Sequence, residues 1–269
     1  MTPDFLIVGA MKAGTTTLYH DLSEHPDIFL PVLKEPEVLT TLERLDEMRA
    51  YYARLFRPAR PGQLKGEAST AYTKRPNNEG VAEKARALCG DGLKIIYIRR
   101  DPVERIRSQY EHERQHGTLH EAFHIAVRLH PRLIDYSRYD WQIEPWIEAF
   151  GADNVLQLEL ETYSTDRVPT LRSVLRFLGA DPDRLAAIDV NAVSNSRKEA
   201  KAIGNPLLRS FIHSRFYQLG LKRLFPREMR EKVRRALLPA PRTEAIEIDP
   251  STREYIRAEL RAAAPIASK

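Results

Sequence analysis

An α/β fold with a central parallel sheet flanked by helices is predicted from three features of the chain. Short, β-branched apolar runs recur between longer amphipathic stretches. Two of these runs lead straight into loops that open a helix, the strand–loop–helix order of a parallel sheet covered on both faces. No internal repeat and no long linker divides the 269 residues. A single domain spanning 1–269 is therefore expected, with a core at about 4–200 and a helical C-terminal part at about 201–269.

The first apolar run, Phe5 to Val8, is bounded by Gly9 and reads as a buried strand. Gly9 to Gly14 is a loop of small residues. From Thr15 the pattern turns helical, with Leu18 and Leu22 on one face, until His25-Pro26 ends it. Ile28 to Leu30 is a second strand candidate. Residues 36 to 56 carry Leu39, Leu42, Leu45, Tyr52 and Leu55 at helical spacing, and 57 to 66 form a link rich in proline and glycine. Residues 79 to 89 are helical and closed by Gly90. Leu93 to Ile98 is the strongest strand signal in the chain. Behind it, Asp101 is placed to cap a helix that starts at Pro102 and carries Val103, Ile106 and Tyr110 on one face. Val155 to Leu160 is a further strand candidate. Thr165 or Asp166 caps a helix running through Leu171, Leu175 and Leu178 to Gly179. Trp141, Trp146 and Phe150 form a stripe that reads as core rather than as a sugar-stacking platform.

Hydrophobic residues make up 42% and charged residues 29%, an ordinary mixture for a chain that buries a core. The formal net charge of +5 suits a polyanionic ligand and suits equally a slightly basic surface. No run approaches the length of apolar sequence that a membrane span needs. The N-terminus shows neither a basic leader nor a long apolar segment, and Cys89 is the only cysteine. A cytoplasmic protein in a reducing compartment is the expectation. Cys89 itself reads as a small buried hydrophobe on an alanine-rich helix.

The loop Gly9-Ala10-Met11-Lys12-Ala13-Gly14-Thr15-Thr16-Thr17 lies between the first strand and the first helix. Glycines there let backbone N–H groups turn toward an anion, and the helix N-terminus adds a favourable dipole. The threonines add hydroxyl donors and Lys12 a full positive charge. The loop departs from the nucleoside triphosphatase P-loop, G-x-x-x-x-G-K-[ST]: Thr15 stands where that loop needs lysine, and the lysine comes three residues earlier. The usual seat for a metal-bound triphosphate is missing.

A second anion motif follows the strongest strand. In Lys94-Ile-Ile-Tyr-Ile-Arg-Arg-Asp-Pro-Val-Glu-Arg-Ile-Arg-Ser108, Arg100 sits in the turn and Ser108 eight residues on, about two helical turns into the next helix. Arginine offers a planar fork of donors to phosphate oxygens. Arg105 and Arg107 read as members of a solvated basic face.

These two motifs together resemble those of the sulfotransferases that use 3'-phosphoadenosine-5'-phosphosulfate (PAPS), in particular the branch with the heparan sulfate sulfotransferases. Lys34-Glu35-Pro36, Gly66-Glu67-Ala68-Ser69-Thr70-Ala71-Tyr72, Asn154-Val-Leu-Gln-Leu-Glu and Leu-Arg-Phe-Leu-Gly179 are similar to segments of that family, so the resemblance covers roughly residues 4 to 200. It implies a P-loop NTPase-like three-layer sandwich with PAPS as donor, PAP as product and no required metal. The 5'-phosphosulfate would lie on Lys12, Ala13, Gly14, Thr15, Thr16 and Thr17, although Thr16 stands where some members carry arginine. The 3'-phosphate would lie on Arg100 and Ser108. Arg197, in Asn195-Ser196-Arg197-Lys198, falls where the family has a late loop over the nucleotide and reads either as a phosphate contact or as an exposed loop arginine.

The resemblance also places Glu35 at the family's general-base position and Lys12 at the leaving phosphate. Pro36 is expected to hold Glu35 extended. Glu37 is the rival carboxylate, and a helix-start acid favoured by the dipole is the ordinary explanation of either. A histidine base, as in the cytosolic small-molecule sulfotransferases, finds its candidates in His20 and His25. Tyr72 either lines the acceptor cleft or packs in the core. Residues 222 to 235 hold seven Lys/Arg against two acidic residues, a solvated helix face or a dock for an acidic glycan or lipid headgroup. The expected acceptor is a hydroxyl or amine of a glycan, glycolipid or small molecule, with no nucleic-acid partner. The rival reading is a P-loop kinase or another nucleotide-binding protein, against which stand the missing Gly-Lys-Ser/Thr order and the second anion motif.

Overall fold

Five parallel strands make one sheet in the order β2-β3-β1-β4-β5, where β1 is Phe5–Gly9, β2 Ile28–Phe29, β3 Leu64–Ala68, β4 Lys94–Arg99 and β5 Val155–Glu159. The computed structural model describes residues 1–185, 246–262 and 264. The chain divides into two compact units, Met1–Ile188 with Glu247–Lys269, and Asp189–Ile246. Arg197, its flanking loop and the basic stretch 222–235 lie outside the described residues. The sheet and its helices belong to the first unit.

Alternation along the two central strands sorts their side chains into two cores. Leu6 and Val8 of β1 and Ile95 and Tyr97 of β4 face helices α3 (Leu45–Leu55), α4 (Val81–Cys89) and α8 (Tyr139–Phe150), through Met48, Tyr52, Ala85 and Trp146. Phe5, Ile7, Ile96 and Ile98 face the other way, onto α1 (Thr15–Ser23) and α10 (Arg167–Leu178), through Leu18, Leu22, Leu171 and Leu175. This is the three-layer sandwich, and it explains why β1 and β4 read as unbroken apolar runs: both faces are buried. Trp146 and Phe150 stack in the first core, whereas Trp141 is half-buried under the Arg75 guanidinium. Among the described residues no helix is long and apolar enough to cross a membrane.

Three local expectations are corrected. Residues 64–66, read as part of a link, open β3. Its sequence LKGEA has no strand signature, and its glycine is demanded by tertiary packing: a Cβ on Gly66 would come within 2.1 Å of the Phe5 ring. The helical run read over 36–56 is two helices, α2 (Val38–Thr41) and α3, because Leu42 turns extended at the end of α2. Arg105 is not solvated. It is fully buried on α5 (Pro102–Gln115), where its guanidinium donates to Ser137 Oγ, to Gln109 Oε1 at 2.8 Å and to the Leu133 carbonyl at 2.6 Å. Those acceptors make burial of the charge tolerable and tie α5 to the short helix α7 (Arg132–Asp135). Arg107 stays part-exposed in an ion pair with Glu104 at 2.5 Å.

Buried polar contacts also fix α1. Its Asp21 carboxylate accepts from Arg167 of α10 and from the Tyr163 hydroxyl of α9 (Leu160–Thr165), locking the helix that follows the first loop.

Filling the Phe5 contact provides a test of the β3 placement. Gly66→Ala should lower unfolding free energy by about 1–3 kcal/mol, the usual cost of overpacking a core. Gly92→Ala, with open space around its Cβ, should change it by less than about 0.5 kcal/mol in the same denaturant titration.

Candidate active site

The chain order of the strands creates a crevice. From β1 the chain crosses toward β2 on one side, and from β4 it crosses toward β5 on the other, so the loops at the carboxyl ends of these adjacent strands diverge. Such a switch point is where open α/β sheets bind ligands. The Lys12 loop leaves β1 there and the Arg100 turn leaves β4. A hydrogen bond from the Ala10 amide to the Ile98 carbonyl, 2.7 Å, joins the two turns.

Gly14 ends the first loop in the left-handed conformation (φ 95°), capping α1 without any side-chain cap. A Cβ there would also strike Leu160 at 2.6 Å, so glycine is required twice over. Ala13 is buried beneath the loop and Thr15 buried at the helix start, while Thr17 is half-buried and Thr16 exposed. Lys12 is half-buried and itself left-handed (φ 67°). In the second turn, Asp101 accepts from the Glu104 amide at 2.9 Å and Pro102 takes the first helical position, as the sequence indicates. The Arg100 side chain is 12% exposed and lies 3.4 Å from Glu104. Its carbonyl accepts from Tyr139 at 2.7 Å. Ser108 is half-buried on α5.

Glu35 reaches the same edge from the loop after β2. Its amide donates to the Ala68 carbonyl (2.9 Å), at the end of β3. One carboxylate oxygen accepts from the Thr70 amide (2.7 Å) and hydroxyl (3.2 Å), the other from Lys34 Nζ (2.5 Å). Thr70 starts a single 3₁₀ turn, Thr70–Thr73, whose Thr73 hydroxyl donates to the Val8 carbonyl of β1. The expectation that Pro36 holds Glu35 extended is overturned: Glu35 has φ 58° and Glu37 has φ 51°. The cause is tertiary: the Glu35 amide is tied to Ala68 and the Glu37 amide to Ser69 Oγ (3.0 Å). The segment must fold back over β3. Glu37 then serves as N-cap residue of α2. Among the described residues, Lys12, Glu35 and Glu37 are the only non-glycines with positive φ.

A family model of the sulfotransferase domain matches residues 2–237. The chain belongs to the sulfotransferase family. Mouse bifunctional heparan sulfate N-deacetylase/N-sulfotransferase 1 is 26% identical over 200 residues, and human bifunctional heparan sulfate N-deacetylase/N-sulfotransferase 3 is 28% identical over 200. The alignments take in 66% and 67% of this chain but 22% of each relative, so the sulfotransferase spans a small part of their length. Among solved structures, a sulfotransferase from Alicyclobacillus acidocaldarius superposes with a TM-score of 0.59 at 29% identity, over 68% of this chain and 83% of that one. Mouse sulfotransferase SULT7A1, solved with PAP, shares the fold at TM-score 0.51 and 20% identity, over 88% and 87% of the two chains.

The sulfotransferase fold also brings forward residues that the sequence did not single out. His112, one turn beyond Ser108 on α5, lies beside His116 with ring centroids 4.2 Å apart and the rings tilted by 52°. Burial, with help from the Lys12 charge, holds its imidazole down at about 4, so it is neutral at pH 7. The signal available in the sequence was the i+4 spacing from Ser108. His20 is exposed, and His25 is buried with Nε2 against the Asp181 carbonyl at 2.8 Å. Tyr72 is a core residue, and its hydroxyl donates to Glu67 Oε1 at 2.6 Å.

Glu67 itself is completely buried, and desolvation pushes its carboxyl up to about 7 despite hydrogen bonds from Tyr72, Ser69 and Tyr52. A carboxyl raised in the folded state adds stability at low pH, and that stability is lost as pH rises through about 4.5 to 7. Between pH 5 and 8 the wild type should therefore lose roughly 2 kcal/mol more unfolding free energy than Glu67→Gln, which has no proton to lose there. Parallel denaturant titrations of the two proteins at both pH values measure the difference.

Proposed function

We propose that the protein moves a sulfo group from PAPS to a hydroxyl or amine of an acceptor, with Lys12 at the leaving phosphate and Glu35 as general base. The observation that carries this reading is the backbone strain. Left-handed non-glycine residues cost ~1–3 kcal/mol each and cluster where function requires them. Here they fall on Lys12, Glu35 and the neighbouring Glu37, at one edge of one sheet.

The residues present fit the donor. The uncapped N-terminus of α1, with the hydroxyls of Thr15, Thr16 and Thr17, suits the 5' end of the nucleotide. Arg100, sheltered beside Glu104, and Ser108 on the following helix suit a 3'-phosphate, the group that separates this donor from ATP. PAPS supplies the sulfo group and, once it is lost, a phosphate leaving group. Lys12 offsets the charge that grows on the bridging oxygen as the sulfur–oxygen bond breaks. Glu35, aimed by Thr70 and Lys34, takes the acceptor's proton as the new bond to sulfur forms. Arg100 and Ser108 hold a remote phosphate and so orient the reacting end. The heparan sulfate N-sulfotransferase relatives make glycan amines and hydroxyls the first acceptor class to test, followed by lipid-linked sugars and small phenols.

PAP should raise the melting temperature by the equivalent of about 2.7 kcal/mol at one hundred times its Kd. ATP with Mg²⁺ should give a far smaller shift, and Arg100→Ala should remove most of the difference between the two ligands. Equal shifts from PAP and ATP in the wild type would contradict the donor assignment.

In an acceptor screen with labelled PAPS, Glu35→Gln should cut turnover by ~10²–10⁴-fold, the usual contribution of a general base. PAP affinity should stay unchanged. Glu37→Gln, which removes a like charge from the same turn, should retain most activity. Loss of activity in Glu37→Gln alone would reassign the base.

A further inference from the structure

The completely buried Glu67 sits at the centre of a directed hydrogen-bond network. Its Oε1 accepts from Tyr52 of α3 at 2.9 Å and from Tyr72 of the 3₁₀ turn at 2.6 Å, and its Oε2 accepts from Ser69 at 2.8 Å. A hydroxyl that gives its proton to a carboxylate keeps its lone pairs for another donor. Two of the three use them on the same short segment. Ser69 Oγ accepts the Glu37 amide at 3.0 Å, and the Tyr72 hydroxyl accepts the Leu39 amide at 3.3 Å. Immediately before those amides lies the left-handed turn that carries Glu35, itself pinned by its amide to Ala68, the residue after Glu67.

We propose that Glu67 is a positioning residue for the acceptor side: through Ser69 and Tyr72 its carboxylate sets the backbone of residues 35–39, and so the aim of Glu35. The catalytic consequence rests on the reading of Glu35 as the base; the positioning does not.

The chemistry of the network makes the role specific to the ionised, acceptor-only form of Glu67, which prevails above about pH 7. Three hydroxyls converge on the two oxygens of Glu67, and each points its proton inward because it finds an acceptor there. An amide in that place offers a donor on one side. The hydroxyl it meets must then turn its own proton outward, toward the amide of Glu37 or Leu39. A change of one atom in the core is thus felt at the turn. A carboxylate serving only to fill the core would show no such directed link, since well-packed replacements of buried charges are often neutral in stability.

The test compares wild type, Glu67→Gln and Ser69→Ala by amide hydrogen exchange at single-residue resolution, with PAP as the binding probe. At pH 8, Glu67→Gln should speed exchange at Glu37 or at Leu39, whichever hydroxyl meets the new amide donor, by roughly tenfold, the effect of losing about one net hydrogen bond. Amides of β1 and β4 should keep their protection, and PAP affinity should stay within about twofold. With an acceptor from the labelled-PAPS screen, kcat should fall roughly 10–100-fold while KM for PAPS holds, as expected when a reacting group is displaced. Unchanged exchange at both amides, or an equal loss of kcat and PAP affinity, overturns the proposal. If Glu67→Gln does not fold, Ser69→Ala decides the matter, because it removes the relay from Glu67 to the Glu37 amide and leaves Tyr52 and Tyr72 on Glu67: faster exchange at Glu37 with PAP binding intact supports the role, and unchanged exchange overturns it. Should the exchange result hold while Glu35→Gln keeps full activity, the positioning stands and the assignment of the base falls.

Discussion

The pairing of β1 with β4 is the constraint on which the crevice depends. Residues 5–9 and 94–99 are neighbours in one parallel sheet, so the loop after the first and the turn after the second emerge at the same edge. The Ala10–Ile98 hydrogen bond continues that pairing past the last residues of the strands. Each helix dipole then points its positive end at the gap, from α1 on one side and α5 on the other. A sheet with another strand between β1 and β4 would hold two anion sites too far apart for one nucleotide. Strand order, rather than either motif alone, brings the Lys12 loop and the Arg100 turn to one crevice.

The third element of the site, the Glu35 turn, depends on the neighbour on the opposite side. β3 pairs with β1, and its end at Ala68 leads into Ser69 and Thr70, which between them hold the Glu37 amide and the Glu35 carboxylate. The buried Glu67 beneath them is costly to desolvate, and three hydroxyl donors offset that cost. Arg105 under α5 is its counterpart, a buried charge satisfied by neutral acceptors. Both lie under segments that face the crevice, and both fix backbone rather than touch the gap.

The layers and the strand–turn–helix form of the two motifs were legible because their signals are local. β1 and β4 are apolar on both faces, and Asp101-Pro102 is a cap that needs only four consecutive residues to work. β3 was not legible: Leu64-Lys65-Gly66-Glu67-Ala68 has neither alternation nor β-branched residues, and the reason for its glycine is Phe5, sixty residues away. The backbone of Glu35 misled for the same kind of reason. Pro36 biases it toward extension, but two hydrogen bonds to the end of β3 override that bias. Arg105 looked like its neighbours Arg99, Arg100 and Arg107 in the sequence, and only the approach of Leu133 and Ser137 distinguishes it. The lysine, the arginine and the candidate base were readable as residue types; their strain and their partners were properties of the sheet.

The strand order also dictates when the site can exist during synthesis. Phe5–Gly9 is made early, yet neither edge of it has a partner until residues 64–68 and then 94–99 have been translated. Contacts of such long sequence separation form slowly, and an unpaired apolar strand is exposed to aggregation while it waits. The nascent chain must therefore carry its most hydrophobic strand unpaired, and its first phosphate loop unshaped, for about the first third of its length. On the proposed donor reading, nucleotide meets both its loops only once β4 has arrived, so ligand would help this fold at its late, closing step.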